Sequence, residues 1–200
     1  RQTNDSLNIT HDFVNNGTIV ASTGTVNFTG NQNSTISGSG NMQLNNLRVN
    51  KTLGATLNLQ HTVSVTNILA MIQGNVIINP TYKLILGASS VVTGTLLYTS
   101  GNIIGQFRRY FDDAPTPNSG YYFPVGNANN LRGLTLDFAS TPGTNQYVEV
   151  QYVPGTPGGA TPLYNGLPLT TNDGVLIQNY DNEGYWEVNP TNNDYASTIN

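Results

Sequence analysis

Apolar residues recur along the first half of the chain in short groups, most of them alternating with polar residues at a period of two. Alternation at this period indicates half-buried β-strands, whose successive side chains point to opposite faces of a sheet. No window shows the 3.6-residue periodicity of an amphipathic helix, so the pattern predicts an all-β chain. The clearest predicted strands span residues 18–20, 26–28, 42–44, 57–59, 63–65, 76–78 and 84–86.

Some of these short segments resemble each other. Thr25–Phe28 is similar to Thr56–Leu59, and Gly40–Met42 is similar to Gly74–Val76 and Gly101–Ile103, at uneven spacings. Strands this short and this dense favour a parallel β-solenoid, in which each coil buries its apolar face only against its neighbours. A β-sandwich stays open as the alternative. A solenoid end exposes strand edges, so we expect the segment that follows to act as a cap.

The second half contains longer strand candidates separated by turns rich in proline and glycine. This organisation predicts an antiparallel β-sandwich. The candidate strands span residues 121–123, 134–138, 147–153, 175–177 and 185–188.

Composition changes at about residue 104, which predicts a domain boundary there. Residues 1–104 hold two acids and four bases, whereas residues 105–200 hold nine acids and three bases. Nine of ten prolines and fourteen of eighteen aromatic residues also lie in the second part. We therefore expect solenoid coils over residues 1–104 and a β-sandwich module over residues 105–200. Residues 195–200 read as the start of a strand, so we expect this module to be truncated at its C-terminal end.

Asparagine and threonine dominate the polar residues, with 29 and 25 occurrences, whereas only 9% of residues are charged. Threonine suits a pleated strand, and asparagine suits tight corners because it tolerates left-handed backbone. The net charge of −4 gives no electrostatic footprint for nucleic acid. No apolar run is long enough to span a bilayer, and the chain has no cysteine for a thiolate metal site.

Residues 24–51, GTVNFTGNQNSTISGSGNMQLNNLRVNK, resemble the repeat phrase of very large secreted surface proteins of Bacteroidota. These include gliding-motility adhesins and other cargo of the type IX secretion system. Within residues 105–190, the segments GQFRRYF, YYFPVGNANNLRGLTLDF and GYWEVNP resemble the module that often follows such a solenoid. The resemblance implies an extracellular or outer-cell-surface location, export by bacterial secretion machinery, and a scaffold or adhesive role.

Glycan-cleaving enzymes built on a solenoid need carboxylates as general acid and base. Residues 13–104 contain no Asp or Glu, so this stretch cannot supply such a pair. His11 and His61 are far apart in the sequence and have no cysteine beside them, so we interpret both as surface or turn residues. The sequence therefore predicts no enzyme and no cofactor.

Acidic turns in the second half offer one metal hypothesis. Oxygens of Asp, Asn and Glu that converge from such loops are the ligands that calcium requires. Asp181 and Glu183 are the candidate ligands. Solvated acidic loops are the alternative interpretation.

Aromatic side chains in the second half offer a ligand-binding hypothesis, because flat rings stack on sugars. The candidate residues are Tyr121, Tyr122, Tyr180 and Tyr185. Alternation along the last strand puts Trp186 and Val188 on one face, which assigns Trp186 to the core. We expect the basic pair Arg108-Arg109 to form a salt bridge with Asp112 or Asp113 at the domain junction.

The predicted function is a structural or adhesive segment of a large secreted or surface-displayed protein, with multivalent attachment summed along a repeated surface. Surface glycans or other cell-surface polymers are the expected partners. One alternative is a carbohydrate-binding accessory module of a secreted enzyme, and another is passive cargo of a secretion complex.

Overall fold

The computed structural model describes residues 6–19, 23–113, 120–138, 144–155, 169–170, 176–177 and 183–191. These ranges form eighteen strands and no helix, so they contain no helix that could cross a membrane. The prediction of an all-β chain is confirmed, and a parallel β-solenoid of about five turns forms its main body.

Nine of the eleven solenoid strands have six residues or fewer, as the apolar groups predict, and the other two extend to 9 and 11 residues. The eleven strands are β1 (Ser6–Ile9), β2 (Phe13–Val14), β3 (Thr25–Gly30), β4 (Ser34–Ser37), β5 (Gln43–Lys51), β6 (Thr56–Leu59), β7 (Val63–Gln73), β8 (Asn75–Ile78), β9 (Leu84–Leu86), β10 (Thr95–Tyr98) and β11 (Ile103–Ile104).

Five of the seven strands that follow overlap the predicted segments, whereas the first and the fifth of them were not predicted. The seven strands are β12 (Phe107–Tyr110), β13 (Tyr121–Phe123), β14 (Leu134–Leu136), β15 (Tyr147–Pro154), β16 (Leu169–Thr170), β17 (Leu176–Ile177) and β18 (Gly184–Pro190).

From β1 to β9 successive strands alternate between two sheets, so the chain winds as a coil. One sheet has the order β1-β3-β5-β7-β9-β12-β15-β18, with β10 also paired to β7. The other has the order β11-β8-β6-β4-β2. Every pairing among β1 to β12 in these two sheets is parallel. Parallel pairing with a crossover between neighbours is the geometry that distinguishes a solenoid from an antiparallel sandwich.

The coils differ in length, which explains why the sequence contains no strict repeat. On one face Ser6 pairs with Thr25, Thr25 with Asn46, Asn46 with Ile68 and Ile68 with Thr95. These steps of 19, 21, 22 and 27 residues follow from the paired residue numbers. The corners differ in length, and the register of β5 against β7 also shifts at two irregularities, between Leu44 and Asn46 and between Val49 and Asn50.

Only part of the sequence similarity marks equivalent positions. Gly74–Val76 and Gly101–Ile103 are equivalent, because Val76 pairs with Ile103 in adjacent coils. The similarity of Thr25–Phe28 to Thr56–Leu59 is misleading, because the first lies in one sheet and the second in the other. A common alternation of threonine with apolar residues produces the likeness without a common place in the coil.

Inward side chains stack in columns that run from coil to coil. One column consists of Ile9, Phe28, Val49, Met71 and Tyr98, which the strand register aligns. Phe28, Val49 and Met71 are 0% exposed. Burying an apolar side chain of this size contributes about 1.5 to 3 kcal/mol. Because no coil covers its own apolar side chains, this stabilisation exists only when neighbouring coils are stacked.

A lysine lies inside the solenoid without any carboxylate beside it. Lys51 is 0% exposed, and its Nζ donates hydrogen bonds to the Thr29 carbonyl oxygen (2.7 Å) and to Ser34 Oγ (2.8 Å). Burial lowers the pKa of Lys51. Since the acid-free stretch supplies no counter-ion, carbonyl and hydroxyl oxygens satisfy the ammonium group. Ser34 therefore occupies an inward position that apolar residues fill in other coils.

Asparagine and aspartate side chains join successive coils at the corners. The side-chain oxygen of each accepts a hydrogen bond from a backbone N–H of the next coil: Asp12 from Thr35 (2.8 Å), Asn33 from Thr56 (2.9 Å) and Asn75 from Asn102 (2.8 Å). Each bond satisfies a backbone N–H at or near the start of a strand: Thr35 in β4, Thr56 in β6 and Asn102 just before β11. Asn16 accepts a bond of the same kind from the backbone N–H of Ser39 (3.1 Å).

The second half adds strands to the first sheet, and the pairing of these strands changes from parallel to antiparallel. β12 pairs parallel with β9 and antiparallel with β15, and β15 pairs antiparallel with β18. The antiparallel strands thus extend a solenoid sheet, and a separate sandwich is not clearly shown. The division of the chain at residue 104 stays a prediction.

Residues 121–126 lie across the C-terminal end of the solenoid. Tyr122 packs edge-on against Tyr98, with ring centroids 5.2 Å apart. Phe123 packs in the same way against Phe107 at 5.6 Å, and Ile103 forms a parallel bridge with Val125. These contacts cover the inward columns, in agreement with the expectation that the following segment acts as a cap.

The stacked corner glycines provide a direct test of coil contact. A Cβ at Gly101, where φ is +95°, would lie 2.1 Å from the Gly74 carbonyl oxygen, whereas a Cβ at Gly54, where φ is +76°, would meet nothing within 4 Å. Both changes to alanine strain the backbone by about 1 kcal/mol. We expect Gly101→Ala to lower the free energy of unfolding by at least about 3 kcal/mol, because adjacent coils must also separate.

Gly54→Ala is the matched control for chemical denaturation, since it introduces the strain without the contact. Equal losses of stability in the two variants would contradict the close approach of the two coils.

Candidate functional site

Three of the four predicted tyrosines lie within the described residues, two in β13 and one in β18. Tyr121 and Tyr122 belong to the cap and are half-buried. The Tyr121 ring packs against Phe111 at 4.5 Å and against Phe138 at 5.7 Å. Tyr185 lies on the outer face of β18, opposite Val153 of β15. The fold therefore separates the two cap tyrosines from Tyr185. Tyr180 lies outside the described residues, and sugar binding by these tyrosines stays a prediction.

Of the two calcium candidates, Glu183 lies within the described residues and Asp181 lies outside them. Glu183 forms an ion pair with the guanidinium of Arg132, and its side chain is 61% exposed. Within the described ranges, no group of three or more His, Cys, Asp or Glu side chains could hold a metal ion. The calcium site stays a prediction, and the contact observed for Glu183 is with a cation of the protein itself.

The two histidines lie in turns between strands. His11 is exposed in the turn after β1, and its Nδ1 lies 2.9 Å from Thr10 Oγ1. His61 precedes β7 and stacks on the Tyr82 ring, with centroids 5.8 Å apart. Both positions agree with the interpretation of these residues as surface or turn histidines.

Glu149 connects the solenoid to the antiparallel strands. Its Oε1 accepts hydrogen bonds from Lys83 Nζ (2.7 Å) and from Arg108, whose Nε lies 2.8 Å away. Arg108 also covers the Tyr147 ring at 3.8 Å from its centroid. The expected partner of the basic pair is corrected: the carboxylate that Arg108 binds is Glu149, on the neighbouring strand, instead of Asp112 or Asp113 in the same loop. Strand pairing decides this, because the register places Arg108 opposite Glu149.

The pKa of Glu149 reflects this position. Burial alone would raise the pKa of the carboxyl group, but hydrogen bonds and charge from Lys83 and Arg108 hold it below its ordinary value. The carboxylate therefore favours the folded state at neutral pH.

Arg109 points in the opposite direction, into the end of the core. It follows Leu86 in an inward column, is 7% exposed, and lies over the rings of Tyr121 (5.3 Å) and Phe123 (5.8 Å). One guanidinium nitrogen donates to the Tyr122 carbonyl oxygen at 2.8 Å, and its buried Nε has no hydrogen-bond partner. Burial lowers the pKa of Arg109 to about 10. Arg108 and Arg109 thus have different roles, because successive side chains of a strand point to opposite faces of the sheet.

The assignment of Trp186 to the core is wrong. The side chain lies on the inner side of β18, opposite Tyr152, but it is 45% exposed. Its Nε1 donates a hydrogen bond to the Arg132 carbonyl oxygen at 2.7 Å, and its ring meets the Tyr152 ring at 6.1 Å. Trp186 pairs with Tyr152, which lies beyond the part of β15 that pairs with β12. The residue therefore faces the inner side of the sheet without being buried by the core.

Comparisons with models of protein families, with curated proteins and with solved structures find no significant match for the chain.

The ion pairs of Glu149 predict a specific response to acid. We expect Glu149→Gln to lower the free energy of unfolding at pH 7 by about 1 to 2 kcal/mol, because it removes a charge shared by two cations. The folded-state pKa is lowered, so this stabilisation is present above the unfolded-state pKa of about 4.3 and is lost as the pH falls through the lower folded value.

Urea unfolding of both proteins from pH 7 to pH 2 measures this difference, which we expect to shrink below about pH 4. Glu187→Gln is the matched control, because the hydrogen bonds of Glu187 come from the uncharged Gln151 and Tyr185. A difference that stays constant with pH would contradict the assigned ion pairs.

Proposed function

We propose that the chain is a non-catalytic structural and adhesive segment of a large secreted or surface-displayed bacterial protein, in the manner of the gliding-motility adhesins that its phrases resemble. The observation that carries the proposal is the continuous stack of about five coils, which shares one sheet with the antiparallel strands that follow. Such a stack has the form of a rigid spacer, which would hold the segments on either side of it at a fixed distance.

The geometry suits a rigid element. Adjacent parallel strands lie about 4.8 Å apart, so each further coil lengthens the stack by one strand spacing and adds one more row of outer side chains. Rows of this kind present the same kind of weak contact many times, and their effects sum when the whole chain engages a surface. The absence of Asp and Glu from residues 13–104 supports a role in attachment and spacing, since this stretch provides no carboxylate pair for the cleavage of glycans.

The second candidate is a carbohydrate-binding accessory module of a secreted enzyme. The exposed Trp186 favours it, because most tryptophan side chains are largely buried. The two candidates differ in what adjoins the segment: further coils of the same kind support the adhesin, and a neighbouring glycan-cleaving domain supports the accessory module. Passive cargo of the type IX secretion system shares the location but has no attachment activity.

Antibodies raised against the purified chain test location and adhesion together. We expect them to label intact cells of the bacterium that encodes the chain, or its culture medium, without permeabilisation. We also expect their monovalent fragments to reduce attachment of those cells to a surface. An antibody against a cytoplasmic protein is the control for cell integrity.

Labelling that appears only after permeabilisation would contradict the surface location. Labelling of intact cells without any effect on attachment would contradict the adhesive part and favour passive cargo.

A further inference from the structure

We propose that Trp186, together with the adjacent ion pair of Arg132 and Glu183, binds a neutral sugar unit of an extracellular glycan. Leu131 completes this group, which we call the Trp186 site. The inference gives a ligand class to the adhesive role and rests on that role only for the choice of a surface polymer.

The indole ring is exposed and fixed in orientation. Of its side chain 45% is exposed, although the ring is held by the hydrogen bond from its Nε1 to the Arg132 carbonyl oxygen and by edge contact with Tyr152. A tryptophan is among the largest apolar surfaces that a protein can present. Because the ring is already ordered, a ligand that stacks on it does not have to immobilise the side chain. Sugar rings carry a face of C–H groups that matches such a flat apolar surface.

Hydrogen-bonding groups are supplied by Arg132, whose carbonyl oxygen binds the indole Nε1, and by its ion-pair partner Glu183. Arg132 and Glu183 form an ion pair in which the side chains remain 29% and 61% exposed. The guanidinium offers N–H donors, and the carboxylate accepts from several directions. A sugar hydroxyl both donates and accepts, so neighbouring hydroxyl groups can use both partners at once. Arg132 also lies over the Tyr152 ring at 5.8 Å, which helps to hold this arrangement in place.

The charges at the site favour a neutral ligand. Arg132 and Glu183 compensate each other, so the pair provides no net charge to attract an acidic or a basic polymer. The chain as a whole carries −4, which disfavours acidic polysaccharides and nucleic acids further. A neutral glycan can hydrogen-bond to both Arg132 and Glu183 while their ion pair stays intact.

The size of the site favours a sugar over a protein. Among the described residues, the site offers the exposed apolar side chains of Trp186 and of Leu131, which is 43% exposed. Asn129 and Asn130, which precede Leu131 in the chain, are exposed and polar. A stable protein interface buries about 800 Å² on each partner and has an apolar centre. One aromatic ring with a polar rim provides much less than this area but is enough for one or a few sugar units.

Trp186 is the only tryptophan of the chain, so its intrinsic fluorescence reports on the site alone. The purified 200-residue chain is titrated with neutral oligosaccharides derived from cellulose, laminarin, mannan and xylan. We expect a saturable change in emission and less quenching by acrylamide with at least one of them. We expect oligogalacturonate and chitosan oligomers to bind at least about tenfold more weakly, since the ion pair offers them no uncompensated charge.

Variants identify the contacts in calorimetric titrations with the sugar that binds. We expect Trp186→Ala to weaken binding at least about tenfold, as removal of a central aromatic contact does. Trp186→Tyr keeps a flat ring and should retain most of the affinity. Glu183→Gln should weaken binding without changing the melting temperature. Leu97→Ala removes an equally exposed apolar side chain from the solenoid and is the matched control, with no change expected.

Three outcomes would overturn the proposal: no response of Trp186 to any neutral glycan, full affinity after Trp186→Ala, or tighter binding of the charged polymers. Such results would leave the surface location unaffected, because the antibody experiment decides that separately.

Discussion

The structure depends on the in-register stacking of parallel coils. A single coil has apolar side chains on its inner side and nothing within itself to cover them, so Phe28 and Met71 are buried only because other coils lie above and below them. The same stacking provides backbone partners for the parallel strands β1 to β12 and places Asn and Asp side chains against N–H groups of the next coil. Register is therefore the constraint that joins sheet, core and corners.

At the C-terminal end of the solenoid, the change from parallel to antiparallel strands covers a coil that has no further coil to stack on. An uncovered end would expose both strand edges and apolar columns. β12 accepts an antiparallel neighbour on its free edge, and the segment from Tyr121 to Gly126 covers the columns with aromatic rings. Glu149 holds the junction together by binding Lys83, which directly precedes β9, and Arg108 of β12. At the other end, Leu7 and Val14 are 53% and 60% exposed.

Most of the strand positions could be predicted from the sequence, because alternation at a period of two directly reflects which side chains face the core. The parallel pairing could be inferred from short strands and dense turns. The register could not, since similar phrases such as Thr25–Phe28 and Thr56–Leu59 recur on different faces of the coil. The buried Lys51 was equally invisible, because its partners are carbonyl and hydroxyl oxygens from distant positions.

At the candidate site, too, the sequence predicts which face of a strand a side chain occupies but not whether that side chain is buried. Alternation placed Trp186 on the correct face of its strand but could not show that the strand extends past the core. It also could not distinguish Arg108, which binds Glu149 at the surface, from Arg109, which lies among the cap rings. Burial depends on the neighbours of a residue across the sheet, and those neighbours are set by pairing.

Engineered cysteine pairs measure the register directly, because the chain has no cysteine of its own. Asn58 and Ile77 are paired on adjacent parallel strands, whereas Asn58 and Asn75 are offset by two residues. Paired residues lie about 4.8 Å apart, within the range of a disulfide, and the offset pair lies at about 8 Å, outside it.

The account predicts that the variant with Asn58→Cys and Ile77→Cys forms an intramolecular disulfide under mild oxidation, seen as a mobility shift on a non-reducing gel. The variant with Asn58→Cys and Asn75→Cys should stay reduced. Crosslinking of the offset pair, or of neither pair in the folded protein, would contradict the stacked solenoid.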